Sequence, residues 1–188
     1  MDPQRRSDRA QSQEGLYFRR LEEERRRQAQ ANRTRAALAI ELGIGDAAVL
    51  DALLAIGLDR EKLPAIEWIP LVLVAWADGA VQPAERAAIL RAAENDGVAE
   101  HHPAHDLLSY WLAEPPRENL LGAWTAYVAA LAKRQDESAR LAREGWVRDR
   151  VREVAEADAD WLGLGRVSRE EDARIGELAR AFGSERSR

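Results

Sequence analysis

Five carboxylates stand where they could hold a cation: Asp78 and Glu85 in one stretch, and Asp158, Asp160 and Glu171 in another. The two stretches are versions of one phrase. Val74-Ala75-Trp76-Ala77-Asp78-Gly79-Ala80-Val81, with Glu85, returns as Val154-Ala155-Glu156-Ala157-Asp158, then Gly165-Arg166-Val167, with Glu171. Ile89 and Ile175 follow at matching positions, and the second copy carries six inserted residues. In each copy an aspartate ends one segment and a glutamate opens the next, so both carboxylates can face the same inter-helix turn. Oxygen-rich turns suit hard divalent cations such as calcium, magnesium or manganese, with loop carbonyls and water completing the shell. If the two hairpins pack about a pseudo-twofold axis, both turns lie at one end and share a cluster. The same residues also have ordinary local uses. Ser168-x-x-Glu171 is a capping box, Gln82-Pro83-Ala84-Glu85 is a weaker one, and Asp78 can bond amides in the turn that Gly79 permits.

Other chemistry finds less support. Counted from Asp158 as an EF-hand loop, position 5 is Leu162 and position 12 is Arg169, so the required oxygen ligands are missing. Gly163-Leu164-Gly165 has neither a preceding strand nor the third glycine of a phosphate-binding loop. His101, His102 and His105 cluster before a helix, and His102-x-x-His105 could present two imidazoles to zinc, but no further ligand has suitable spacing. Cysteine is absent, which excludes disulfides, thiol nucleophiles and cysteine zinc sites. No serine accompanies a histidine and an acid, and no glycine loop leads to lysine and serine. A hydrolase using paired carboxylates ranks last, because nothing predicts a substrate cleft between helix ends.

The elements that must position these residues read as helices. Asp46 caps a stripe of Val49, Leu50, Leu53 and Leu54 that stops at Gly57, and a short helix or turn occupies 59–63. Ile69 to Trp76 is apolar nearly all round. Pro70 fits a first helical turn and Gly79 a C-terminal stop, so this stretch is expected to be the central helix of a bundle. Pro83 opens a helix over 84–95 closed by Asp96-Gly97, and further helices are expected over 105–112 and 118–133. Asp136 caps a long one through Val147, Val151 and Val154, and Ser168 caps the last, with Ile175, Leu178, Ala179 and Phe182 on one face. No alternating run or hairpin signal argues for a sheet. The expectation is an all-α, single-domain helical bundle of seven to nine helices, with an internal duplication of a helix-turn-helix hairpin.

Domain organisation follows from composition: a disordered tail over 1–14, a charged helical region over 15–43, the bundle over 44–184 and a short tail over 185–188. The net charge is −5, yet residues 1–35 carry ten arginines against six acids. Such an arm could attract nucleic acid or an anionic membrane. Glu22-Glu23-Glu24 beside Arg25-Arg26-Arg27 also describes a solvated helix paired with itself, which leaves no strong nucleic-acid signal. Leu16, Phe18 and Leu21 form a sparse apolar edge able to dock on the body. The six tryptophans are expected in the core, and an exposed one would mark a partner-binding patch. The longest apolar run, Trp68 to Ala77, is too short to span a bilayer, and the arginine-rich start lacks a signal peptide's apolar core, so a cytoplasmic protein is expected.

Three segments in order, Glu67-Trp68-Ile69-Pro70-Leu71-Val72-Leu73-Val74-Ala75-Trp76-Ala77-Asp78-Gly79, Trp124-x-x-Tyr127-Val128-x-Ala130-Leu131 and Leu162-Gly163-Leu164-Gly165-Arg166-Val167-Ser168, resemble the bacterial tellurite-resistance TerB-like family over about residues 15–183. That resemblance implies an all-helical fold with duplicated hairpins, metal-binding acidic turns and association with stress-response or membrane-linked complexes rather than catalysis. It places Asp78 and Glu85 in the first acidic turn and Asp158 and Glu171 in the second. Ala159-Asp160 stands where relatives commonly show a glycine pair, adding a carboxylate and removing flexibility. The resulting expectation is a non-enzymatic, stress-associated protein whose turns bind a divalent cation or a protein partner. The alternative is an adaptor that holds nucleic acid or, peripherally, an anionic membrane through its arginine-rich helix.

Overall fold

The computed structural model describes residues 3–116, 119–134 and, in part, 138–150 and 173–178, with side chains from residue 17 onward. Leu53, Ile69, Leu71, Val72, Leu108 and Trp111 are sealed from solvent, and each belongs to an apolar stripe visible in the sequence. Their helices are α2 (Ala47–Ala55), α3 (Ile69–Ala75) and α5 (Pro103–Ala113). Around them lie α1 (Pro3–Leu42), α4 (Pro83–Asn95), α6 (Leu120–Ala132) and a 3-10 helix, Leu63–Trp68. Further helical residues fall within 138–150 and 173–178, and among the described residues there is no strand. The all-α expectation therefore holds.

The central position of α3 follows from its composition. Ile69, Pro70, Leu71, Val72, Val74 and Ala75 are all buried, so apolar side chains point in nearly every direction and neighbours are needed on every side. The 3-10 helix feeds directly into it, and α5, α4 and α6 all pack against it. On the far side of α6 lies α2, whose entry is set by Asp46: its carboxylate accepts from the amides of Ala48 at 2.9 Å and Val49 at 3.4 Å. These caps supply acceptors for amides that have no partner inside the helix.

Element boundaries moved in two places. The stretch expected as a short helix or turn over 59–63 is a turn held by Asp59, whose Oδ1 accepts from the amides of Glu61 and Lys62, and a 3-10 helix begins at Leu63. α5 starts at Pro103 rather than at residue 105, because proline suits a first turn and His102 serves as cap. Helix α1 begins at Pro3, inside the tail expected to be disordered over 1–14. Arginine, glutamine, alanine and glutamate cost little in a helix, and Gly15 is the lone glycine in its path.

At 1.5 Å per residue the 40 residues of α1 extend about 60 Å. Among the residues whose side chains are described, those of its final turns pack on the body. Leu38 is buried, Thr34, Ala39 and Leu42 are partly buried, and Arg35 Nε donates to Asp51 Oδ1 at 2.7 Å. Phe18, expected to dock, is instead 59 % exposed, and Tyr17 beside it is 64 % exposed. The self-pairing expected at 22–27 is also missing: among the described residues, Glu22, Glu23, Glu24, Arg25, Arg26 and Arg27 make no ion pair.

Candidate functional site

The first acidic turn is assembled by helix ends. α3 stops at Trp76, whose indole Nε1 donates to the carbonyl of Trp111 on α5 at 2.8 Å and pins the turn to the body. Gly79 then takes a left-handed φ of 95°, and its amide reaches the Trp76 carbonyl at 3.1 Å. Asp78 is exposed, and its Oδ1 accepts from the amide of Ala80 at 3.1 Å. Glu85 is only 8 % exposed and turns back so that Oε2 accepts from the amide of Gln82 at 2.8 Å. That bond is half of a capping box at the start of α4, with Pro83 opening the helix.

Both carboxylates thus bind backbone amides of their own turn. Asp158, Asp160 and Glu171, which would complete a shared cation cluster, lie outside the described residues, as does the whole second copy of the phrase. Among the described residues no three side chains of histidine, aspartate or glutamate come together in a way that would hold a metal ion. The histidines also have local roles. His102 Nδ1 accepts from the amide of Ala104 at 3.1 Å, capping α5. His105, 8 % exposed, sets Nε2 at 3.2 Å from Glu94 Oε1 and ties α5 to α4. His101 adopts a φ of 70°, which closes the turn between them.

Two features carried no chemical motif in the sequence. One is an apolar cleft of about 370 Å³ lined by Ile66, Glu67, Trp124, Tyr127, Trp146 and Val147. The i,i+3 spacing of Trp124 and Tyr127 on α6 was its only sequence signal. Beside it Trp146 meets Trp68 edge to face at 5.7 Å, and the Arg150 guanidinium lies 5.9 Å from the Trp68 ring and 5.8 Å from that of Trp146. Arg150 also pairs with Asp96 at the end of α4. Among the described residues the cleft lining offers no nucleophile with an adjacent base, and its apolar walls suit a small apolar group.

The other feature is the outer side of α1. No described tryptophan is exposed; the exposed rings are Tyr110 on α5 and, adjacent on α1, Tyr17 and Phe18, which meet edge to face at 5.8 Å. Ile40 joins them, 81 % exposed. Compared with known protein-family models, curated proteins and solved structures, the chain returns no match.

Proposed function

We propose that this protein is a non-enzymatic, TerB-like helical interaction module that engages a macromolecular partner through α1 and serves in a stress response. One observation carries this reading: a helix about 60 Å long, over its described side chains from residue 17, packs on its own body at its final turns and presents Phe18, Tyr17 and Ile40 to solvent. A helix of this composition gains most of its stability from packing, so a face left bare in the single chain is a face for something else. An all-helical body is what the TerB-like resemblance implies. The first acidic turn supports a structural role for Asp78 and Glu85, because their oxygens satisfy the amides that begin α4 and close the preceding turn.

A photo-activated cross-linking residue placed at position 18, in cells producing the protein, tests the reading. A discrete adduct is expected at position 18 and none at a position on the opposite, body-facing side such as 38. Absence of an adduct at 18 would remove α1 as the interaction element.

The arginine excess of α1 favours a second reading. Residues 17–35 hold seven arginines and three glutamates, so the helix carries a net positive charge along its exposed length. Attraction to duplex DNA or anionic vesicles would fall steeply with salt. Binding that is unchanged between low and high salt would rule this out.

A further inference from the structure

We infer that the occupant of the outer face of α1 is a second copy of this chain, paired antiparallel about Ala29. The inference rests on α1 being the interaction element and names what it meets. Phe18, Glu22, Arg25, Ala29, Ala36 and Ile40 recur three, four or seven residues apart with one closing step of four, so they share one side of the helix. All six are exposed, and they lie opposite the side on which Leu38 and Thr34 meet the body. The layout is symmetric. Phe18 and Ile40 stand equally far from Ala29 on either side, and so do Glu22 and Ala36.

A two-fold axis through Ala29 therefore brings each Phe18 level with Ile40 of the second copy, and each Glu22 level with its Ala36. Ala29 and Ala36 are small and let the helix axes approach, the long Arg25 beside Ala29 can carry its guanidinium out to solvent, and large apolar side chains stand at both ends, where they cover each other. The same register sets Arg25 level with Arg33 of the second copy, and Glu22 stands beside that pair. Glu22 and Arg33 lie on the same flank of the face, and in an antiparallel pair equal flanks meet, so Glu22 of each copy reaches Arg33 of the other. Within the single chain neither residue has an ion-pair partner among the described residues. A uniformly acidic or basic partner would leave Glu22 or the arginines without a counter-charge, whereas a second copy sets each Glu22 against Arg33 of the other chain, with Arg25 beside it.

The chain has no cysteine, so single cysteines report geometry without background. In the full-length protein, sedimentation is expected to give a dimer. Ala29→Cys is expected to oxidise to a covalent dimer roughly a hundredfold faster than Gln30→Cys, which points to another side of α1, because paired helices hold the two thiols at high effective concentration. Phe18→Cys mixed with Ile40→Cys should give the mixed disulfide in preference to either symmetric one. These positions are exposed, so the variants are expected to keep the parent's helical circular dichroism.

A monomer at every accessible concentration overturns the inference, as does equal oxidation of Cys variants at 29 and 30. Preferential coupling of position 18 to position 18 would indicate parallel helices and overturn it too. The cross-linking experiment separates this from the broader reading. A monomeric chain that still forms an adduct with a different protein through position 18 loses self-pairing and keeps α1 as the interaction element, while no adduct of any kind removes both.

Discussion

At the scale of single residues, the acidic turn is best understood through its amides. Replacing the buried Glu85 by alanine leaves the amide of Gln82 at the start of α4 without its reciprocal acceptor, and a cost of about 1 kcal/mol is expected. For a chain of this size that lowers the melting temperature by roughly 2–4 °C in a thermal scan. Asp78→Ala, at an exposed turn, should cost less. Asp59 offers a test by pH. Burial alone would raise its pKa, but the Lys62 ammonium and the amides of Lys62 and Glu61 outweigh burial and hold the carboxyl below its ordinary value. A depressed folded-state pKa contributes stability above the unfolded value, and that contribution disappears as pH falls through the folded value. Denaturant titrations on the acid side should therefore show a smaller loss of stability for Asp59→Asn than for the parent protein. The capping box at Gln82-Pro83-Ala84-Glu85 was legible because its partners are three residues apart. The Arg150 pair with Asp96 was not, since no local rule links residues so distant in sequence.

At the scale of elements, punctuation residues marked helix ends well. Asp46, Pro70, Gly79, Pro83 and Gly97 stand where caps, first turns and left-handed stops were expected. Gly79→Ala should destabilise by about 1 kcal/mol from backbone strain alone, because an added methyl would meet nothing nearby. Chemical denaturation would measure it, and a neutral result would mean the turn relaxes. Trp76→Phe, which removes the bond to the Trp111 carbonyl, is expected to cost about 1 kcal/mol by the same measurement. The 3-10 helix escaped the sequence reading for a physical reason. Its six residues contain Pro64 and are too few to show a helical period, and what holds them is the burial of Ala65, Ile66 and Trp68. Phe18 was misplaced because an apolar residue on a helix edge looks alike whether it packs on its own chain or on another.

At the scale of the whole molecule, the division between a packed body and a projecting arm decides how stability should respond. Paired arms make folding and association one equilibrium, so the melting temperature of the full chain is expected to rise with protein concentration. A melting point independent of concentration would speak against pairing. The all-helical class was legible throughout, because stripes, caps and stops agreed along the chain. The arm was not, because its direction depends on where its last two turns dock. That docking has a mechanical side. Residues 43–46 join α1 to α2 with Ile44 buried, Asp46 bonded as a cap and Arg35 tied to Asp51, so the joint has little slack. Over an arm of about 60 Å, a tilt of about 10° in α2 moves the far tip by roughly 10 Å. The body thus acts as the short end of a lever, and a small repacking around α2 would be read out as a large displacement at the tip.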